Sequence, residues 1–143
     1  MRDRSPHAEE IPEPMRGAWH LDAHRGTMER VLPPAQLVSA VFRIPRRPLQ
    51  VGDDVSTGFG RFHVDALDWG VDRSSILLHT WAPGSVSRFS IAVDRNGDGR
   101  CIATLLNTVH PSSALGRLYF RLIELGHHVV MEIALRRLAS AAR

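Results

Sequence analysis

A chain of 143 residues, 43% hydrophobic and 23% charged, is sized and composed for one globular domain with its own apolar core. Its net charge is only +3, every basic residue is arginine, and the aromatic residues sit in apolar runs, so nucleic-acid binding is not expected. The single cysteine, Cys101, excludes an internal disulfide and any multi-cysteine zinc site, and points to a reducing cytoplasm.

The opening MRDRSPHAEEIPEP has no apolar stretch, which argues against a signal peptide. No run of about 18 apolar residues is present to span a membrane. Residues 1–17 are polar and carry Pro6, Pro12 and Pro14, so they read as a flexible tail ahead of a single domain over 18–143. Trp19 to His24 then alternates apolar and polar, the period of a half-buried strand. Pro33-Pro34 opens a short helix over 35–42, with proline in its first turn. The stretch from Ile44 to Asp54 holds two prolines and Gly-Asp-Asp and reads as a loop.

From Gly58 the pattern is that of strands. Phe62, Val64 and Ala66 are expected on one face, with Arg61, His63 and Asp65 on the other. Further strands follow over 75–81 and 85–93, joined by a Pro83-Gly84 turn. The next seven residues, DRNGDGR over 94–100, resemble the first half of a calcium loop. Position 12 of such a loop must be a bidentate Glu, however, and here it is Leu105. Asn-Gly and Asp-Gly between β-rich runs instead predict a hairpin leading into a strand over 100–109.

His110-Pro111-Ser112-Ser113 ends the sheet and offers a serine N-cap. Leu115, Leu118, Tyr119, Leu122, Ile123, Val129, Val130, Ile133 and Leu138 then recur at helical spacing, predicting one long amphipathic helix over 112–140. Gly116 and Gly126 each weaken it by about 1 kcal/mol relative to Ala, and Gly126 is the candidate for close packing or a bend. Strand, short helix, antiparallel meander and long C-terminal helix together predict an α+β, helix-grip-like fold. A curved antiparallel sheet would wrap on the helix, with a cavity between them.

The stretch Asn107 to Phe120, NTVHPSSALGRLYF, together with Arg136-Arg137-Leu138, resembles the C-terminal end of a bacterial, actinobacterial-type family of unknown function. Members close with a strand, a Leu-Gly-Arg-x-Tyr-Phe helix start, a histidine in mid-helix and a Leu-Arg-Arg end; His127 or His128 matches that histidine. The likeness covers the last 40 or so residues and extends more thinly back to Phe59. The family's charged strand, of the Asp-Arg-His-Leu-Asp-Phe-Arg type, is here Trp81 to Phe89, which keeps Arg88 and loses most other charges. The resemblance implies no activity. More broadly the outline is similar to the START and polyketide-cyclase (SRPBCC) group, which implies a cavity for lipids, hormones or polyketide intermediates.

Among candidate chemical groups, His20, Asp22 and His24 alternate and so share one polar face of a strand rather than a helical metal site. His127 and His128 point about 100° apart on a helix, so one is expected toward the sheet and the other toward solvent. His63, His79, Arg88 and Asn107 occupy four different strands. If they face the cavity, His79 or His63 would be an acid/base and Arg88 an oxyanion partner, while an opposite register would turn them outward. Trp81, Phe89, Asn107, Tyr119 and His127 are the candidate ligand-binding residues, with Trp69 as further apolar wall. No Gly-x-Ser-x-Gly elbow occurs, Gly58-Phe59-Gly60 lacks a dinucleotide motif's third glycine, and Cys101 reads as a buried, inert thiol.

These features predict a binding protein for a small apolar or amphipathic molecule, with no metal, no cofactor and a homodimer possible in principle. The alternatives are a cyclase- or dehydratase-type enzyme using the same cavity, and an interaction module docking a partner through Phe42-Arg43-Ile44-Pro45-Arg46-Arg47.

Overall fold

A computed structural model describes residues 11–143 of the chain. Six strands form one antiparallel sheet: β1 (His20–Met28), β2 (Asp54–Thr57), β3 (Gly60–Trp69), β4 (Arg73–Ala82), β5 (Ser85–Arg95) and β6 (Cys101–Pro111). Their spatial order is β1-β6-β5-β4-β3-β2, so the meander from β2 to β6 is closed on one edge by the N-terminal strand. Two helices complete the α+β architecture: α1 (Pro34–Phe42) and the 28-residue α2 (Ala114–Ala141). Among the described residues, no helix is long and apolar enough to cross a membrane.

The local chemistry explains the boundaries. Pro34 occupies the first turn of α1, where its missing N–H costs nothing, and the helix ends on Arg43 in the left-handed region at φ 54°. The 96–100 turn is closed by the Asn96 N–H donating to the Arg100 carbonyl at 2.7 Å. The Asp98 carboxylate accepts from the Arg100 N–H at 3.1 Å, so the would-be calcium ligand serves its own turn. Ser113 caps α2, its hydroxyl accepting from the Gly116 N–H at 3.2 Å. The four-residue β2 falls within and just after the expected loop; so short an edge strand carries too little periodicity to announce itself.

One face of the sheet holds the main core. Phe62, Val64, Ile76, Leu78, Phe89, Ile91 and Leu105 meet Leu37 and Val41 of α1 and Met131, Ala134 and Leu138 of α2. The opposite face carries a smaller cluster of Met15, Ala23, Leu77 and Leu106, with Ile11 packed against it. That cluster corrects the expected tail: a 3-10 turn at Glu13–Met15 delivers a fully buried methionine to the sheet. Residues 1–10 of the expected tail lie outside the described residues.

Two further expectations are corrected. A β-bulge between Val64 and Ala66 shifts the β3 register by one, so Leu67 rather than Ala66 packs against the core. On α2 the apolar residues do not form one sheet-facing stripe. Phe120, Met131, Ala134 and Leu138 are buried, while Leu115, Leu118, Leu122, Leu125 and Val129 are exposed. The apolar positions in its first half encircle more of the helix than the sheet can cover. It is there that the helix stands off the sheet.

Candidate functional site

The strand register decides which side chains can meet a ligand. One cross-strand row runs His63–His79–Arg88–Thr108, and the adjacent row runs Val64–Leu78–Phe89–Asn107–Asp22. Neighbouring rows point to opposite faces, and the second row is the one on the helix-covered side. His63, His79 and Arg88 therefore lie on the outer face and do not line the cavity, the second of the two registers left open by the sequence, so the condition for their acid/base and oxyanion roles is not met. A shift of one residue along the strands separates the two outcomes.

On that outer face the histidines have carboxylate partners. His79 Nδ1 lies 2.7 Å from Asp65, the bulged residue of β3, and His63 Nδ1 lies 3.0 Å from Asp54 on β2. The bond from His63 holds the Asp54 carboxyl below its usual range, with Arg61 adding to the effect. His79 also meets Trp81 edge-on, ring centroids 4.6 Å apart. Nearby, His110 has a lowered pKa, first because burial disfavours its charged form and then because Arg88 repels it.

Between the sheet and the first half of α2 lies a cavity of about 620 Å³. Phe42, Phe62, Phe89, Ile123, Val130 and Met131 are part of its apolar wall, and Tyr119 borders it from α2. Trp81, 71% exposed, touches it only from the end of β4. Its polar groups include Asn107 and His127. Of the candidate ligand-binding residues, Trp81, Phe89, Asn107, Tyr119 and His127 are thus brought together, whereas Trp69 is not. In the segment Phe42–Arg47, Phe42 and Ile44 pack against the core and the three arginines are exposed.

Behind His127 is a polar cluster that the strand pattern did not disclose. His20, Asp22 and His24 do share one face of β1, as their alternation requires, but that face turns inward to α2. Asp22 Oδ2 lies 3.3 Å from His127 Nε2, 3.7 Å from His20 Nε2 and 3.8 Å from His128 Nδ1. His24 Nδ1 lies 2.9 Å from Glu132 Oε1. Both helix histidines therefore approach the same carboxylate oxygen instead of dividing between sheet and solvent.

Burial works against the ionised form of Asp22, but His127, and then His20 and His24, outweigh it and hold the carboxyl below its usual range. The His127–Asp22 approach is close enough for an ion pair and not aligned as a hydrogen bond. Five buried atoms in the cluster lack a hydrogen-bond partner among the described residues: His20 Nε2, both Asp22 oxygens, His24 Nε2 and His127 Nε2. Leaving one such atom unpaired costs about 1–3 kcal/mol, so five converging in one place require a reason. The sequence carried part of the signal. His-x-Asp-x-His puts three donors on one strand face, and His128 and Glu132, four apart, share a helix face.

The class so defined is an α+β protein with a six-stranded, curved, open antiparallel sheet, a long C-terminal helix and an apolar cavity between them. This fold is shared with a hypothetical protein, jhp0584, from Helicobacter pylori, at 8% identity and a TM-score of 0.64 over 97% of this chain and 98% of that one. It is also shared with protein Ms6760 from Mycobacterium smegmatis, at 14% identity and a TM-score of 0.53 over 86% and 90% of the two chains. No protein-family model matches the sequence, and no curated protein matches it.

Proposed function

We propose that this protein binds a largely apolar small molecule in a helix-grip cavity, in the manner of the START and polyketide-cyclase group. The observation that carries the reading is the cavity itself. Its volume of about 620 Å³ falls in the range of about 300–1,000 Å³ usual for small-molecule sites. Aromatic and aliphatic walls with Asn107 and His127 among them suit an amphipathic ligand, its tail against Phe62 and Phe89 and its polar end on the amide and imidazole. Native mass spectrometry of protein purified from its own host tests this. A co-purifying small molecule, absent from a Gly126→Phe variant that obstructs the cavity, supports the reading. Equal retention by a folded Gly126→Phe protein overturns it.

A second reading places proton-transfer chemistry, such as cyclisation or dehydration of a polyketide-like substrate, in the same cavity. The observation favouring it is that His127 both lines the cavity and stands against the Asp22 carboxylate, the pairing that orients an imidazole as a general base. In this reading His127→Gln retains ligand uptake and loses turnover, whereas His79→Ala retains both.

A further inference from the structure

We propose that Asp22, His24 and His128 form a binding site for a divalent first-row transition ion, at the junction of β1 and α2. The site is distinct from the apolar cavity and does not depend on that cavity holding a ligand.

The donor set itself suits such an ion. Among the described residues, one ligand atom from each of Asp22, His24 and His128 lies within 4.8 Å of the other two. Imidazole nitrogens with a carboxylate oxygen suit zinc and its first-row neighbours, rather than calcium or magnesium, which take oxygen ligands. The centre of a triangle with 4.8 Å sides is about 2.8 Å from each corner. Metal–ligand bonds of about 2.0–2.2 Å then ask each side chain to swing inward by less than about 1 Å.

Unused lone pairs point independently to the same place. The His24 side chain is only 4% exposed and that of Asp22 only 9%, yet His24 Nε2 and both Asp22 oxygens have no hydrogen-bond partner among the described residues. Glu132 explains the tautomer. An ionised carboxylate only accepts, so His24 Nδ1 carries the proton it donates at 2.9 Å and Nε2 presents a lone pair. A carboxylate behind a histidine whose other nitrogen faces the ion is the usual outer shell of a histidine–metal site. His127 and His20, with Nε2 atoms 3.3 and 3.7 Å from Asp22 Oδ2, stand beside the site.

The three ligands come from two segments separated by about a hundred residues, so an ion there would tie the first strand to the last helix. That geometry also explains why β1, which carries two of the three ligands, does not announce the site in the sequence.

The test uses the full chain, stripped with a chelator, and zinc chloride as the probe. Calorimetric titration should show one equivalent bound, and cobalt substitution should give the visible absorption of a nitrogen-ligated, low-coordinate ion. Because His24 is buried and its replacement can unfold the protein, the decisive variants are His128→Ala and Glu132→Gln, whose side chains are 44% and 51% exposed. Loss of an outer-shell partner typically costs about 10- to 100-fold in affinity, so Glu132→Gln should weaken zinc by that factor and His128→Ala by more. The double variant His63→Ala/His79→Ala, on the outer face, should bind as wild type. Failure of the wild-type chain to bind zinc overturns the proposal. So does binding that survives His128→Ala unchanged, or that is lost with His63 and His79.

Discussion

Gly84, in the turn between β4 and β5, and Gly116, in the first turn of α2, meet backbone against backbone. A Cβ on Gly116 would overlap the Gly84 carbonyl, and one on Gly84 would come within 2.6 Å of the Ser113 hydroxyl. The Ser112 N–H donates to that same Gly84 carbonyl at 2.8 Å. The turn thus sets where α2 starts and how closely it leaves the sheet, and Gly84 sits at φ +68°, which favours glycine.

Gly116→Ala should therefore destabilise the fold by about 2–3 kcal/mol, the usual cost of overpacking, despite alanine's better helix propensity. Gly126, where a Cβ would meet nothing within 4 Å, should behave oppositely. Gly126→Ala should stabilise by about 0.5–1 kcal/mol. Urea unfolding of the two variants distinguishes them; equal effects would mean that the Gly84–Gly116 contact is not maintained.

Met15→Ala should cost about 2 kcal/mol or more, since Met15 is fully buried against Leu77 and Leu106. Were residues 11–17 merely a tail, the same change would leave the urea midpoint unmoved.

His79→Ala and Asp65→Asn should leave ligand occupancy of the cavity unaltered, because the sheet separates the His79–Asp65 pair from it. Dye displacement or native mass spectrometry on each variant makes the comparison. A loss of binding in a folded His79→Ala protein would mean that the β4 register differs from the one described.

The lowered pKa of His110 has a definite consequence for stability. With the folded-state value below the ordinary 6.5, the unfolded chain binds more protons in the window between the two values. Stability then falls as pH drops below 6.5 toward the folded value, and its full contribution is present above 6.5. Replacing His110 with Gln removes that part of the slope. Arg88→Gln removes only the repulsive part and leaves the part due to burial. Chemical unfolding of all three proteins from pH 7.5 to pH 5 measures the differences; parallel curves for wild type and His110→Gln would refute the assignment.

Local chemistry by itself determined most of the elements. Asn-Gly-Asp-Gly has one economical use between β-rich runs, Pro33-Pro34 opens a helix, and Ser113 caps one, because each depends on backbone preferences that neighbours in sequence satisfy. The order of those elements also sufficed to place a helix over a sheet with a cavity between. Tertiary structure alone decided the faces. The register that pairs His63 with His79 and His79 with Arg88 puts all three outward, and puts Phe89 and its cross-strand partner Asn107 inward. It also decided that His20, Asp22 and His24 turn away from solvent, because only packing across the sheet brings His127, His128 and Glu132 to them. The reason is geometric: alternation along a strand says which residues share a face, but what lies opposite that face depends on a chain segment about a hundred residues away.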